Sequence, residues 1–267
     1  RSTLGNDVSM DQINEFGEFI TYETTLASQT LERVIDADIV ITNKVVIDKD
    51  IMDKSNIKLI CVAATGTNNI DLEYAEKKKI PVKNVIDYST ASVTQLTFSM
   101  VLHFMQKLSY YDNYTKEGEW ENSPIFTNLG APFHELKGKK WGIVGLGNIG
   151  KNVAKVAEAF GCDVSYCSTS GANYDVDYIG IGIKELLLRS DIISIHCPLN
   201  ERTRNLINKE NLVLLKNKAI ILNLARGGII NEDDLAVVMD SKEIFCGIDV
   251  LLKEPMEKDS ALKNIKN

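Results

Sequence analysis

The stretch WGIVGLGNIGKNVAKVAEAFG, Trp141–Gly161, decides the fold. Ile143 and Val144 close a short apolar run, and glycines follow at 145, 147 and 150 in a Gly-x-Gly-x-x-Gly spacing. Downstream, Ile149, Val153, Val156 and Phe160 recur on one helical face, and Gly161 supplies a C-terminal stop. The pattern predicts strand, tight turn, helix. In that setting Gly145 permits the turn, Gly147 lets the backbone approach a pyrophosphate, and Gly150 lets helix and strand pack closely. The unpaired N–H groups and positive dipole end of the helix then attract the phosphates. The stretch reads as a dinucleotide-binding turn.

Working outwards, short β-branched runs alternate with helical patterns along the chain. The runs cover 18–23, 37–42, 58–63, 81–85, 140–145, 163–168, 191–197, 218–224 and 245–250. Several are apolar throughout, which suits parallel strands covered on both faces, and the alternation implies an α/β protein with doubly wound parallel sheets. From Thr90 to Trp120, Val93, Leu96, Met100, Phe104, Leu108 and Tyr111 predict one long amphipathic helix. That helix, at about 91–118, serves as the connector. Residues 1–90 plus 251–267 are expected to form one domain, and 91–250 a Rossmann dinucleotide-binding domain.

The strand after the glycine turn should end in an acid that holds the adenosine ribose hydroxyls. It ends instead in Ser168, followed by Thr169 and Ser170. Small hydroxyls tolerate a 2′-phosphate that a carboxylate would repel, yet no Arg or Lys adjoins them in sequence. NAD and NADP both stay open.

Composition narrows the classes. Thirty Lys and Arg against 37 Asp and Glu give a formal charge of −7, and basic residues are not clustered, which argues against nucleic acid as a partner. No apolar run approaches the ~20 residues of a membrane span, and no signal peptide is visible. The five cysteines are odd in number, form no C-x-x-C pair and mostly lie in apolar runs, so they read as reduced thiols of a cytoplasmic protein. No metal-ligand spacing appears. The polar opening and the mid-pattern close at Asn267 suggest that further residues flank this segment at both ends.

Other unusual residues also fall at strand ends, where doubly wound sheets bind ligands. Arg226 follows an apolar run and precedes Gly227 and Gly228; such an Arg can fork onto a carboxylate or carbonyl oxygen, or pair with a neighbouring acid. Asp249 and Glu254 are ambiguous alone. Of the three histidines, His103 reads as a packing residue at the edge of the helical stripe. His134 lies in a linker-like segment, and His196 reads as a hydrogen-bonded core residue at the end of a buried strand.

Taken together, AATGTNNIDLEYAEKKKIPVKNV, LKGKKWGIVGLGNIGKNVAKVAEAFG, SDIISIHCPLNERTRNLIN, AIILNLARGGIINEDDL and GIDVLLKEP resemble segments of the D-isomer-specific 2-hydroxyacid dehydrogenases, in the family's order and over most of the chain. ATGTNNID is most similar to members described as glycerate dehydrogenases or hydroxypyruvate reductases. The resemblance implies a Rossmann NAD(P)-binding domain inserted into a flavodoxin-like substrate domain, and hydride transfer between nicotinamide and a small 2-keto or D-2-hydroxy acid such as hydroxypyruvate or glyoxylate. It further implies a homodimer. By the same carry-over, Arg226 holds the substrate, and Glu254 pairs with a catalytic histidine. Gly147, Asn148, Ile149 and Gly150 carry the pyrophosphate, and Cys197 and Pro198 line the adenosine side; Gly145 and Ser168 join the cofactor-binding residues from the turn and strand end read above. Leu224, Ala225 and Asp249 meet the nicotinamide end, while Thr65 and Gly66 border it and offer backbone groups to the substrate carboxylate. One departure stands out. The family's histidine follows its Glu by roughly twenty residues, and no His follows His196 here; the expectation places it beyond Asn267. An alternative of another class is a dinucleotide-sensing, corepressor-like scaffold on the same fold, without turnover.

Overall fold

β-branched runs become strands where a neighbouring backbone can pair with them, and eight of the nine runs do so in the computed structural model of the protein. The structure describes residues 2, 3, 5, 8–171, 175 and 177–265. The chain divides into one unit up to Tyr88 and a second from Ser89 onwards.

In the first unit, β1 (Ile39–Thr42), β2 (Leu59–Val62) and β3 (Val82–Asn84) form a parallel sheet in that order, with Val40 opposite Ile60 and Ile60 opposite Val82. Helices α1 (Thr30–Val34), α2 (Lys49–Asp53) and α3 (Leu72–Lys78) accompany it. Asp48 and Asp71 cap α2 and α3 by accepting from the N–H groups of Ile51 and Tyr74. Val40, Ile60 and Val62 enter a core with Ile47, Met52 and Ala75. In β1, burial alternates: Ile39 and Ile41 are exposed although apolar, while Val40 and Thr42 are buried. The expected strand over 18–23 is absent. Ile20 and Tyr22 are exposed, and no strand of the described residues pairs with that backbone.

The second unit carries β4 (Lys140–Val144), β5 (Asp163–Cys167), β6 (Ile179–Gly180), β7 (Ile192–Ile195), β8 (Ile220–Asn223) and β9 (Phe245–Ile248). All pair in parallel, in the order β6-β5-β4-β7-β8-β9. Chain order reverses at β4, which lies between β5 and β7. That is the doubly wound topology with its switch point beside β4. Alternate residues enter opposite layers. Trp141, Ile143, Ile192, Ile220 and Leu222 pack with α4 (Thr90–Gln106) and α6 (Asn148–Ala159), through Phe98, Val101, Val153 and Ala157. Val144, Ile193, Ile195 and Ile221 pack on the other face with α7 (Ile183–Arg189), α8 (Lys209–Leu212) and α9 (Glu232–Ser241). Burial on both faces explains why β7 and β8 are buried at every position and largely apolar.

Two expectations need correction. The long helix breaks after Gln106: Lys107 takes a left-handed φ of 53°, and α5 (Leu108–Lys116) continues with no buried residue. The buried stripe is Thr94, Thr97, Phe98, Val101 and Met105, and Leu108 is exposed. The tail also departs from expectation, since Leu262 packs against the core of the second unit and residues after Leu251 group with that unit.

Candidate functional site

The register of the second sheet puts Cys167, Val144, Ile195, Asn223 and Ile248 in one row across five strands. The residues that follow them — Ser168, Gly145, His196, Leu224 and Asp249 — therefore share the carboxyl edge. At ~4.8 Å per strand the edge from Ser168 to Asp249 spans roughly 19 Å, enough for an extended two-ended ligand.

At its centre, Gly145 donates its N–H to the Cys167 carbonyl and takes φ 93°. A Cβ there would sit 2.8 Å from the Cys197 Cβ. A Cβ on Gly150 would overlap the Gly145 carbonyl oxygen, so α6 approaches the turn only because that position is bare. Gly147 differs: a Cβ there meets nothing within 4 Å. It also N-caps α6 without a side-chain bond, and the first turn, Asn148 to Gly150, carries no acid. The space beside Gly147, at the positive N-terminal end of α6, fits a bound diphosphate.

A cleft of about 480 Å³ opens over this point, bordered by Gly145, Gly147, Ser168, Cys197 and Pro198. His196, Asn200, Glu201 and Arg202 border it too. Arg202 escaped the sequence reading, which found no cation near Ser168. It follows β7, and β4 alone separates β7 from β5, so the fold closes a gap that the sequence leaves wide. Its Nη1 donates to the Ser170 carbonyl at 3.2 Å.

His196 is not the hydrogen-bonded residue expected. Both ring nitrogens are buried without a partner among the described residues, and burial pushes its pKa down to about 3. It stays neutral and is unsuited to acid or base work near neutrality. Burial likewise pushes Cys197 up to about 12. All five cysteines are free thiols. His103 is exposed on α4 with its ring edge-on to Phe104, and the His134 backbone bonds to Met105 and Gln106.

Beyond β8, Leu224 is buried, and Ala225 and Arg226 are half-buried. Asn223, buried in β8, holds this loop: Nδ2 donates to the Arg226 carbonyl at 2.9 Å, and Oδ1 accepts from the Ala225 N–H at 3.2 Å. Sequence reading passed over Asn223 as part of an apolar run. The Arg226 guanidinium donates to the Ala225 carbonyl at 2.7 Å, and among the described residues no carboxylate pairs with it. Asp249 is exposed at the end of β9, its N–H donating to the Asn223 carbonyl. Glu254 is exposed and accepts from the Leu251 N–H at 3.2 Å. A Cβ on Gly227 would overlap the Leu251 carbonyl, so the Arg226 loop and the segment before Glu254 lie backbone to backbone. Thr65 and Gly66 lie in the first unit, in the loop after β2, where Asn84 Nδ2 donates to the Thr65 carbonyl at 2.7 Å. Among the described residues, no cluster of His, Cys, Asp or Glu could hold a metal ion, and no helix is long and apolar enough to cross a membrane.

Known proteins are similar to this chain in sequence and fold. A hydroxypyruvate reductase of Blautia hydrogenotrophica is 36% identical over 98% of this chain and 83% of its own length. Two solved structures superpose closely. An acyclic imino acid reductase (Bsp5) in complex with NADPH and D-Arg has a TM-score of 0.84 at 27% identity, over 95% of this chain and 80% of its own. The D-lactate dehydrogenase of Aquifex aeolicus, with NAD and lactic acid, has a TM-score of 0.76 at 27% identity, over 87% and 73%. Residues 98–267 match the model of the D-isomer specific 2-hydroxyacid dehydrogenase NAD binding domain. With the glycine cradle, the reversed strand order and this match in agreement, the chain belongs to the D-isomer specific 2-hydroxyacid dehydrogenase family.

Proposed function

We propose that the protein is an NAD(P)-dependent dehydrogenase that interconverts a small 2-keto acid and its D-2-hydroxy acid, with hydroxypyruvate and glyoxylate as the first candidates. The observation that carries the reading is the single carboxyl edge. A phosphate cradle at Gly145–Gly150 and Arg226, which has no carboxylate partner among the described residues, stand on it a few strands apart. When bound, the nicotinamide supplies or accepts the hydride.

The chain's residues bind and orient. The first turn of α6 takes the diphosphate, Ser168, Cys197 and Pro198 border the adenosine side, and Leu224, Ala225 and Asp249 meet the nicotinamide end. Arg226 forks onto the carboxylate and carbonyl oxygens of the keto acid and steadies the negative oxygen that develops there. Glu254 is the carboxylate that raises the pKa of an imidazole donor; His103, His134 and His196 do not fit that donor's role. The five free thiols suit a reducing compartment, and we place the protein in the cytoplasm. It assembles as a homodimer through the segment after α5, where Trp120, Phe126, Leu129 and Phe133 are all exposed.

The test is steady-state oxidation of NADH and NADPH with hydroxypyruvate, glyoxylate and pyruvate. Arg226→Ala is expected to lower kcat and raise KM for the keto acid together, with a loss of ~10-fold or more in kcat/KM. Unchanged kinetics remove Arg226 from this role, and no turnover with any keto acid overturns the reading. Light scattering tests the dimer: Phe126→Glu with Leu129→Glu should yield a monomer.

A further inference from the structure

The cleft holds a cation that the phosphate cradle does not use. In dinucleotide folds, the strand after the glycine turn commonly ends in an acid that binds the ribose hydroxyls and repels a 2′-phosphate. Here β5 runs into Ser168, Thr169 and Ser170, with no carboxylate. Ser168 Oγ accepts from the Gly171 N–H at 3.2 Å, which closes the turn and leaves the hydroxyl proton to donate.

Arg202 faces this corner from the loop after β7, and that loop is built to hold it. Asn200 Oδ1 accepts from the N–H groups of Arg202 at 2.9 Å and Thr203 at 3.2 Å. Thr203, fully buried, donates its hydroxyl to the Pro198 carbonyl at 2.6 Å. With its backbone fixed, Arg202 spends one N–H on the Ser170 carbonyl and keeps the rest of its fork for a ligand. Glu201 also borders the cleft.

We propose that Ser168 and Arg202 form a subsite for a phosphate monoester on the 2′-oxygen of the adenosine ribose, so that this chain selects NADPH over NADH. The proposal rests on the reading of the cleft as a pyridine-dinucleotide site. Relatives do not settle the choice, since one is described with NADPH and another with NAD.

Calorimetric titration with NADPH, NADH, 2′,5′-ADP and ADP tests it without turnover. NADPH should bind ~10-fold or more tighter than NADH, and 2′,5′-ADP tighter than ADP by a similar factor. Both gaps should narrow as salt is raised. Arg202→Ala, an exposed position that should leave the melting temperature unchanged, should weaken NADPH ~10-fold or more while NADH shifts by less than ~2-fold. Arg202→Lys should restore part of the gap, and Glu201→Gln should not weaken NADPH. Equal or tighter binding of NADH overturns the proposal, as does an Arg202→Ala loss shared by both nucleotides. If neither nucleotide binds, the dinucleotide reading itself falls, and the subsite with it.

Discussion

His196 sits at the end of β7, its two ring nitrogens without a partner among the described residues, held neutral by burial. Its folded pKa, about 3, lies below the ordinary 6.5, so on acidification the unfolded chain takes the proton first. The stability tied to neutral His196 is thus present above pH 6.5 and drains away towards pH 3. Between pH 7 and pH 5 that amounts to ~2 kcal/mol. His196→Leu removes the titration, and urea midpoints of the variant should fall less over that interval than those of the parent; parallel losses would exclude the effect. Asn223 offers a second test. Asn223→Leu keeps the volume but frees the Ala225–Arg226 loop, so KM for the keto acid should rise while affinity for 2′,5′-ADP, which lacks the nicotinamide end, holds. An unchanged KM would mean that the loop keeps its shape without Asn223. Arg226 was legible in sequence because it stands out at the end of an apolar run. Asn223 and Arg202 were not. Asn223 hides inside such a run, and Arg202 acquires its neighbours only when β7 is laid beside β4.

At the scale of elements, the glycine turn separates folding from binding. Gly150→Ala forces α6 away from the Gly145 carbonyl and should cost ~1–3 kcal/mol, seen as a lower melting temperature. Gly147→Ala meets open space, so its melting temperature should match the parent while nucleotide affinity falls. Retained affinity would place the diphosphate elsewhere. The turn was readable because strand, glycines and helix are contiguous and every constraint is local. Three other elements were not. The 18–23 run has strand composition without a pairing neighbour, and β6 is two exposed residues with no apolar signature. The break at Lys107 arises where the buried stripe ends at Met105, while apolar side chains continue on an exposed face.

At the scale of the molecule, each unit has its own core, so ligand effects should be regional. NADPH at 100 times its Kd should add ~2.7 kcal/mol to the stability of the second unit. In hydrogen exchange, amides of β4, β7 and β8 should gain protection; a gain confined to β1–β3 would contradict the cleft assignment. The α/β class and the second sheet were legible because long apolar runs record burial on both faces. The tail was not, because backbone contacts at Leu251 and Leu252 and one apolar side chain, Leu262, tie a largely polar stretch to the second unit.

The reversed strand order has a consequence for synthesis. β4 leaves the ribosome before both of its partners, with β5 and β6 building outwards on one side and β7, β8 and β9 arriving later on the other. A nascent chain halted near Arg189 therefore carries a strand that is apolar from Trp141 to Val144 with one bare backbone edge, the geometry that recruits foreign strands. Ribosome-bound intermediates of that length are the ones expected to need chaperone cover, a need that ends once β7 docks.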